Sequence, residues 1–332
     1  MNQPNCAEAT VTPQWAGKRL DAAAAGLFSD FSRNRLQSWI SEGYLTVDGQ
    51  SRRAKDKLLG GERLSLQLPP DLVDALLIDA EGNSQDFTAE PVEFAVVHTD
   101  DDILVINKPA GLVMHPAPGN RNGTLLNGLL YRYPELHQVP RAGIVHRLDK
   151  DTSGLCVVAR TLGAHTHLVR QLQERSMGRE YLAIALGDVP HNGRVDAPVG
   201  RHPRDRKRMA VVNSGKPAST LYQTQERFIA CAKLQVKLET GRTHQIRVHM
   251  AHIGHPLVGD PVYGRRQAVL PRQLARIDRV RNFGRQALHA SKLSLIHPAS
   301  NQPIRFETKQ PEDLNLLCDA LRDAAEPEQS AI

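Results

Sequence analysis

From about residue 92 onward the chain carries a succession of short apolar runs with strand character, and no regular helix separates them. "FAVVHTDDDILVINKP" reads as two strands around an acidic turn, and "SGLCVVAR", "REYLAIALG", "LHASKLSLIHP" and "IRFETK" read as further strands. In "AKLQVKLETG", Leu234, Val236 and Leu238 alternate with polar residues, the period of a half-buried strand. Helical patterns intervene irregularly, in "GAHTHLVRQLQERS" and, near the C-terminus, in "EDLNLLCDALRDAA". A wholly parallel sheet needs a crossover, usually a helix, between successive strands. The pattern therefore predicts an α+β domain over 92–325 with a mixed, mainly antiparallel sheet.

A second, smaller unit precedes it. The stretch 15–75 opens with "GKRLDAAAAGLF", and "SRNRLQSWISEG" then spells a helix, with Ser32 as cap, Leu36, Trp39 and Ile40 on one face and Gly43 as stop. "YLTVDG" reads as a strand entering a tight turn, and "ERLSLQL" as the strand that returns. Basic residues gather at one end of the helix (Arg33, Arg35) and in one loop (Arg52, Arg53, Lys55, Lys57), as an RNA-gripping module would place them. Residues 76–91 are acidic and poor in pattern and read as a linker, although they could also pack on the basic domain.

The net charge of +6 hides a segregation of charge. Residues 71–102 hold ten acidic residues and no Lys or Arg, whereas 103–310 hold 32 Lys and Arg against 13 Asp and Glu. A domain that basic fits a polyanion binder, because phosphate neutralisation dominates nucleic-acid affinity. No apolar run approaches the length of a membrane helix, and "MNQPNCAEATVTPQ" lacks the layout of a signal peptide, so a cytoplasmic protein without membrane contact is expected. Cys6, Cys156, Cys231 and Cys318 are scattered, which speaks against both a disulfide framework and a cysteine zinc site. Phosphate-binding glycine loops and the H-E-x-x-H zinc motif are absent.

Two stretches carry candidate chemistry. In "GRTHQIRVHMAHIGHP", Thr243 can cap a helix that Gly254 ends, which would set His249 and His252 three residues apart, as metal ligands can be. Arg242 and Arg247 in the same stretch would repel a dication, and the nearest following carboxylate, Asp260, lies beyond a proline, so no metal is expected. In "HRLDKDTSGL", residues 146–155, Asp151 belongs to a turn with Thr152, Ser153 and Gly154. Asp149 is not explained by that turn. A carboxylate among cations stays ionised when desolvated and can act as nucleophile or base.

"HRLDKDTSGL" also resembles the active-site motif of the RluA/RluD group of RNA pseudouridine synthases. In order along the chain, "INKPAGLVMHP", "RAGIVHRLDKDTSGLCVVAR", "REYLAIALG", "RHPRDRKRMAV", "GKPASTLY", "LETGRTHQIRVHMAHIGHPLVGDPVYG" and "RQALHASKL" are similar to that group as well. "GKRLD", "SRNRLQSWI" and "LTVDG" resemble a small S4-like RNA-binding module. The resemblance implies an enzyme that isomerises uridine to pseudouridine without cofactor or metal. Asp149 would be the catalytic residue, Tyr181 would stack on the displaced uracil and perform a possible proton transfer, and Arg247 would pair with the aspartate. Arg147, His146, Arg242 and Lys150 would contact the RNA, helped by Arg33, Arg35, Arg52, Arg53 and Lys55 of the N-terminal module. Within the group, the closest likeness is to members that join an S4-like module to the catalytic domain. That implies large-subunit (23S) ribosomal RNA, free or in pre-ribosomal particles, as partner of a monomer. The competing readings are a non-catalytic RNA-binding or assembly factor, and a synthase of the same family acting on other rRNA or on tRNA.

Overall fold

The computed structural model describes residues 6–28, 31, 33–69, 87–116, 120–205, 208–264 and 270–324. Strand β1 (Cys6–Thr10) is followed by α1 (Leu20–Leu27), α2 (Arg33–Ser41), β2 (Leu45–Val47) and β3 (Arg63–Gln67). The three strands form an antiparallel sheet of order β1-β3-β2. Helix α2 lies where the apolar spacing places it, with Leu36, Trp39 and Ile40 buried, while Ser32 falls outside the described residues. Gly43 ends it at φ 82°, its N–H bonded to the Ile40 carbonyl. On β3, Leu64 and Leu66 point into the core and their neighbours outward, the alternation read from "ERLSLQL". The unit reaches further upstream than residue 15, because β1 supplies an outer strand of this sheet. Its apolar cluster also takes in Leu162 from the larger part of the chain.

That larger part contains β4 (Ala95–Thr99), β5 (Ile103–Lys108), α3 (Leu125–Arg132), β6 (Ser153–Ala159), α4 (Leu162–Glu174), β7 (Gly178–Leu186) and β8 (Asn192–Asp196). Then come β9 (Val199–Arg201), β10 (Met209–Val211), β11 (Ser219–Phe228), β12 (Cys231–Leu238) and α5 (Gln245–His252). Two short helices, α6 (Arg272–Ala275) and α7 (Asp278–Arg281), precede β13 (Leu288–Ile296), β14 (Pro303–Glu307) and α8 (Glu312–Asp323). A nine-stranded sheet runs β4-β5-β6-β13-β7-β12-β11-β8, with β14 joined to β13. All of its pairings are antiparallel except β6 with β13. The mixed, mainly antiparallel sheet expected from the strand pattern is therefore present. Strand β6 is buried at every position, so its "SGLCVVA" reads as a continuous apolar run rather than an alternation.

The parallel pairing of β6 with β13 depends on one glycine. Gly154 has φ 115°, and a Cβ there would lie 2.2 Å from the Ala290 carbonyl oxygen. Only a residue without a side chain lets β6 start so close to β13. The described end of the acidic stretch is docked rather than free. The Thr88 carbonyl accepts from Asn127 Nδ2, the Glu90 carboxylate accepts from the Gly123 N–H, and Phe87 packs on the main core. No helix among the described residues is long and apolar enough to cross a membrane.

Candidate active site

The turn that carries Asp149 is braced from behind. The Thr152 N–H donates to the Asp149 carbonyl at 3.0 Å, which closes the turn just before β6. Lys108, at the end of β5, is fully buried, and its ammonium donates to the carbonyls of Pro109, Leu112 and Lys150 at 2.7, 2.9 and 2.9 Å. Burial draws its pKa down to about 8. From the other side Arg285 Nη1 donates to the Asp151 carbonyl at 3.2 Å while the Asp313 carboxylate grips its Nε and Nη2. Gln286 Nε2 donates to Thr152 Oγ1 at 3.0 Å. Asp151 is thus part of a structural turn, and the Asp149 side chain is left facing a cleft of about 810 Å³.

Arg247, on α5, reaches Asp149 across 98 positions of sequence, its Nη1 donating to Asp149 Oδ2 at 3.0 Å. The rest of its fork is held by Asp260, with Nε to Oδ2 at 2.7 Å and Nη2 to Oδ1 at 2.9 Å. Asp260 is itself anchored by the N–H groups of Val262 and Tyr263. Burial opposes charge on both partners. The mutual hydrogen bonds outweigh it, holding Asp260 below the usual carboxylate range and raising Arg247. The Tyr263 ring lies 5.0 Å from the Arg247 guanidinium. Its hydroxyl accepts from the Met209 N–H at 3.0 Å and shares a hydrogen bond of 2.8 Å with His244 Nδ1. Burial lowers the His244 pKa. His244 Nε2 lies 3.8 Å from Asp149 Oδ1.

Tyr181, on β7, is 5% exposed and lines the same cleft. Burial pushes its phenol up to about 12, so it is neutral across the physiological range. Arg147 is exposed at the lining and Arg242 is half-buried there, its Nε donating to the Pro217 carbonyl. His146 also lines the cleft, but its Nε2 accepts from the Val157 N–H at 3.1 Å and burial drops its pKa to about 3. It is a neutral structural group there, not a cation. Lys150 is exposed, does not line the cleft and serves the site through its backbone carbonyl.

The five N-terminal basic residues do not share one disposition. Arg33 Nη2 is bound to Asp21 at 2.9 Å, and Arg53 pairs with Asp56. Lys55 is exposed, and Arg35 and Arg52 are half-buried.

The helix expected to start with a Thr243 cap begins differently. His244 is the cap residue, with φ 57°, and no side chain caps it. Gln245 instead ties down the turn before the helix, its Oε1 accepting from the Arg242 N–H and from Thr240 Oγ1. His249 is buried with Nδ1 at Thr220 Oγ1 and Nε2 at the Ala197 carbonyl, whereas His252 is exposed. The two histidines therefore do not act as a pair. Among the described residues Asp100, Asp102 and His297 bring possible ligand atoms within 4.8 Å of one another. Asp100 is occupied there by His98, His297 and two backbone N–H groups.

Arg179 and His244, which line the cleft, and Asp260 and Tyr263, which brace Arg247 and His244 from behind, are residues that the motif spacing did not single out for this role. The visible signal is "GDPVYG", whose aspartate the sequence presents only as a distant metal-ligand candidate.

Sheet and cleft together define a known class. Residues 102–252 match the family model described as RNA pseudouridylate synthase. In solved structures the chain is similar to human RNA pseudouridylate synthase domain containing 1, with TM-score 0.52 and 27% identity over 72% of this chain and 98% of that one. It is also similar to human domain containing 4, with TM-score 0.54 and 26% identity over 69% and 93%. "Ribosomal large subunit pseudouridine synthase D" of Pseudomonas aeruginosa is 51% identical over 96% of each chain. The protein of that name from Xanthomonas campestris pv. campestris is 49% identical over 95% of this chain and 92% of its own. The chain therefore belongs to the RluA/RluD family of RNA pseudouridine synthases, and within it to the RluD type.

Proposed function

We propose that the protein isomerises uridine to pseudouridine in large-subunit (23S) ribosomal RNA, with Asp149 as its catalytic residue. The observation that carries this reading is the chain of contacts Asp149–Arg247–Asp260 beside Tyr181, in one cleft of a basic domain. The relatives named as ribosomal large subunit pseudouridine synthase D support the choice of RNA.

A uridine stacked in RNA must first leave its neighbours, at a cost on the order of a few kcal/mol. Exposed Arg147 and half-buried Arg242 hold the backbone at the cleft mouth, and Tyr181 offers a stacking face that offsets part of that cost. Arg247, itself locked by Asp260, keeps the Asp149 carboxylate aimed. The carboxylate then either attacks C1′ or takes the 2′ proton, the N1–C1′ bond breaks, the base turns, and C5 bonds to C1′. A phenol held at about 12 is a poor proton acceptor at neutral pH, which favours stacking as the work of Tyr181. The N-terminal module adds RNA grip through Lys55 and Arg52. On this reading the enzyme works in the cytoplasm as a monomer, on free large-subunit RNA or pre-ribosomal particles.

The test is tritium release from 23S RNA labelled at uracil C5, with chelator present. Release by the wild type supports isomerisation without metal. Binding without release from any ribosomal RNA would replace this reading with that of an RNA-binding assembly factor. Pseudouridine maps from cells with and without the gene identify the target uridines.

A further inference from the structure

Arg179 is a buried arginine in the cleft wall, and among the described residues its charge has no counterpart. It lies on β7 two residues before Tyr181, so the two side chains leave the same face of the strand, and both line the cleft. The residue is 7% exposed. Among the described residues its guanidinium makes no hydrogen bond or ion pair, and its buried Nε has no acceptor. The nearest structure is a backbone turn. A Cβ on Gly241 would lie 2.5 Å from Arg179 Nη1, so "ETGR" crosses directly over the guanidinium and a side chain there would displace it. Native proteins rarely leave a buried cation without a partner, because the desolvation is not recovered within the fold. The missing partner belongs to whatever enters the cleft.

Depth selects the ligand. Arg147 is exposed at the lining and Arg242 is only half-buried, so both suit phosphates, which remain near solvent. Arg179 sits beside Tyr181, at the level where the proposed reaction places the base. We propose that Arg179 is a catalytic residue whose guanidinium binds the N1–O2 edge of the detached uracil and stabilises the negative charge that the base acquires. This deepens the isomerase reading above and rests on it.

When the N1–C1′ bond breaks, its electron pair stays with the base, giving a uracil anion shared among N1, O2 and O4. C1′ is satisfied either by a bond to an Asp149 oxygen or by a C1′–C2′ double bond, once Asp149 has taken the 2′ proton. C5 of the anion then bonds to C1′. Asp149 leaves, or returns its proton to C2′. The C5 proton is lost while N1 gains one, so the overall change is an isomerisation. A fork of N–H donors fits two-point contact with such an anion, and its stabilisation grows as charge develops.

The experiment uses the full chain with Arg179→Met and Arg179→Lys, on RNA carrying uridine or 5-fluorouridine at the target. Fluorine stabilises the detached base as an anion, so that substrate needs the guanidinium less. For Arg179→Met, the single-turnover rate of glycosidic-bond cleavage on uridine RNA should fall about 100-fold, as for loss of one charge-stabilising donor. RNA affinity should stay within about threefold, Arg179→Lys should keep an intermediate rate, and the loss should shrink about tenfold on 5-fluorouridine RNA. The midpoint of thermal unfolding should be unchanged or higher in Arg179→Met, because an unpaired buried charge has gone.

An unaffected rate, an equal loss on both substrates, or a loss of affinity with the rate intact would each overturn the inference. So would a lowered unfolding midpoint accompanying the loss of rate, since that marks a structural tie. A wild type that cleaves neither substrate would remove the isomerase reading, and this inference with it. An active wild type with an unaffected variant removes this inference alone.

Discussion

Two aspartates, one in each part of the molecule, are held by arginine, and their surroundings suit them to opposite tasks. Asp21, on α1, has both oxygens occupied: Oδ1 by Arg19 Nε at 3.1 Å and Arg33 Nη2 at 2.9 Å, Oδ2 by Arg19 Nη2 at 3.0 Å and Gln37 Nε2 at 2.5 Å. Its side chain is inaccessible, covered by those long side chains rather than by packed core, since Arg19 and Arg33 are themselves about half exposed. Asp149 is 15% exposed in its side chain, with Oδ2 on Arg247 and Oδ1 only facing His244 Nε2 at 3.8 Å. A saturated carboxylate has no oxygen to offer a substrate, whereas Asp149 has one. An adjacent arginine is therefore common to a structural and a reactive aspartate. Spare coordination distinguishes them.

Asp149→Asn should show the largest effect, lowering isomerisation by at least about a thousandfold. Its unfolding free energy should stay within about 1 kcal/mol of wild type, because Arg247 keeps Asp260. Asp260→Ala breaks the other end of that chain and leaves Arg247 buried with one partner. It should cost about 3–5 kcal/mol in chemical denaturation and also impair turnover. Asp21→Asn should do the reverse of Asp149→Asn. A loss of about 1–3 kcal/mol is expected in denaturant titrations, with turnover preserved at a temperature where the variant is folded.

The pH dependence of that last difference follows from its sign. The arginine and glutamine contacts overcome burial and hold the folded-state pKa of Asp21 below its unfolded value of about 3.9. Its stabilisation is therefore complete above about pH 5 and fades as pH falls through 4 and below. Asp21→Asn and wild type should converge in stability there. The smallest effect belongs to Lys55→Ala, which should weaken RNA binding uniformly and reduce the salt slope of affinity by about 1. Arg33→Gln, by contrast, should cost stability through Asp21. An Arg33 variant that lost only RNA affinity would contradict the assignment of that arginine.

Much of this was legible in the chain, for identifiable reasons. Strand alternation such as Leu234, Val236 and Leu238 records which face is buried, so the sheet could be read locally. Asp149, Tyr181 and Arg247 lie in motifs that resemble the family, and the fold brings them to one cleft. The aspartate partners were less accessible. Arg33 looked like a free cation because its tie to Asp21 spans α1 and α2, and spacing does not reveal which helices pack. Thr243 has the hydroxyl of a usual cap, but the left-handed His244 takes the cap position and no side chain caps the helix there. His146 looked like an RNA contact until its neighbour Val157 proved to be its hydrogen-bond donor. Asp260 and Arg179 depended on non-local facts, the fork of Arg247 and the crossing of Gly241, which no single stretch contains.

The most direct test compares Asp149→Asn with Asp21→Asn under single-turnover conditions on 23S RNA, with thermal unfolding measured on the same samples. The account predicts that Asp149→Asn forms no pseudouridine while unfolding at the wild-type temperature, and that Asp21→Asn unfolds earlier while retaining the wild-type rate. Pseudouridine formed by a folded Asp149→Asn protein at a rate near wild type would contradict it.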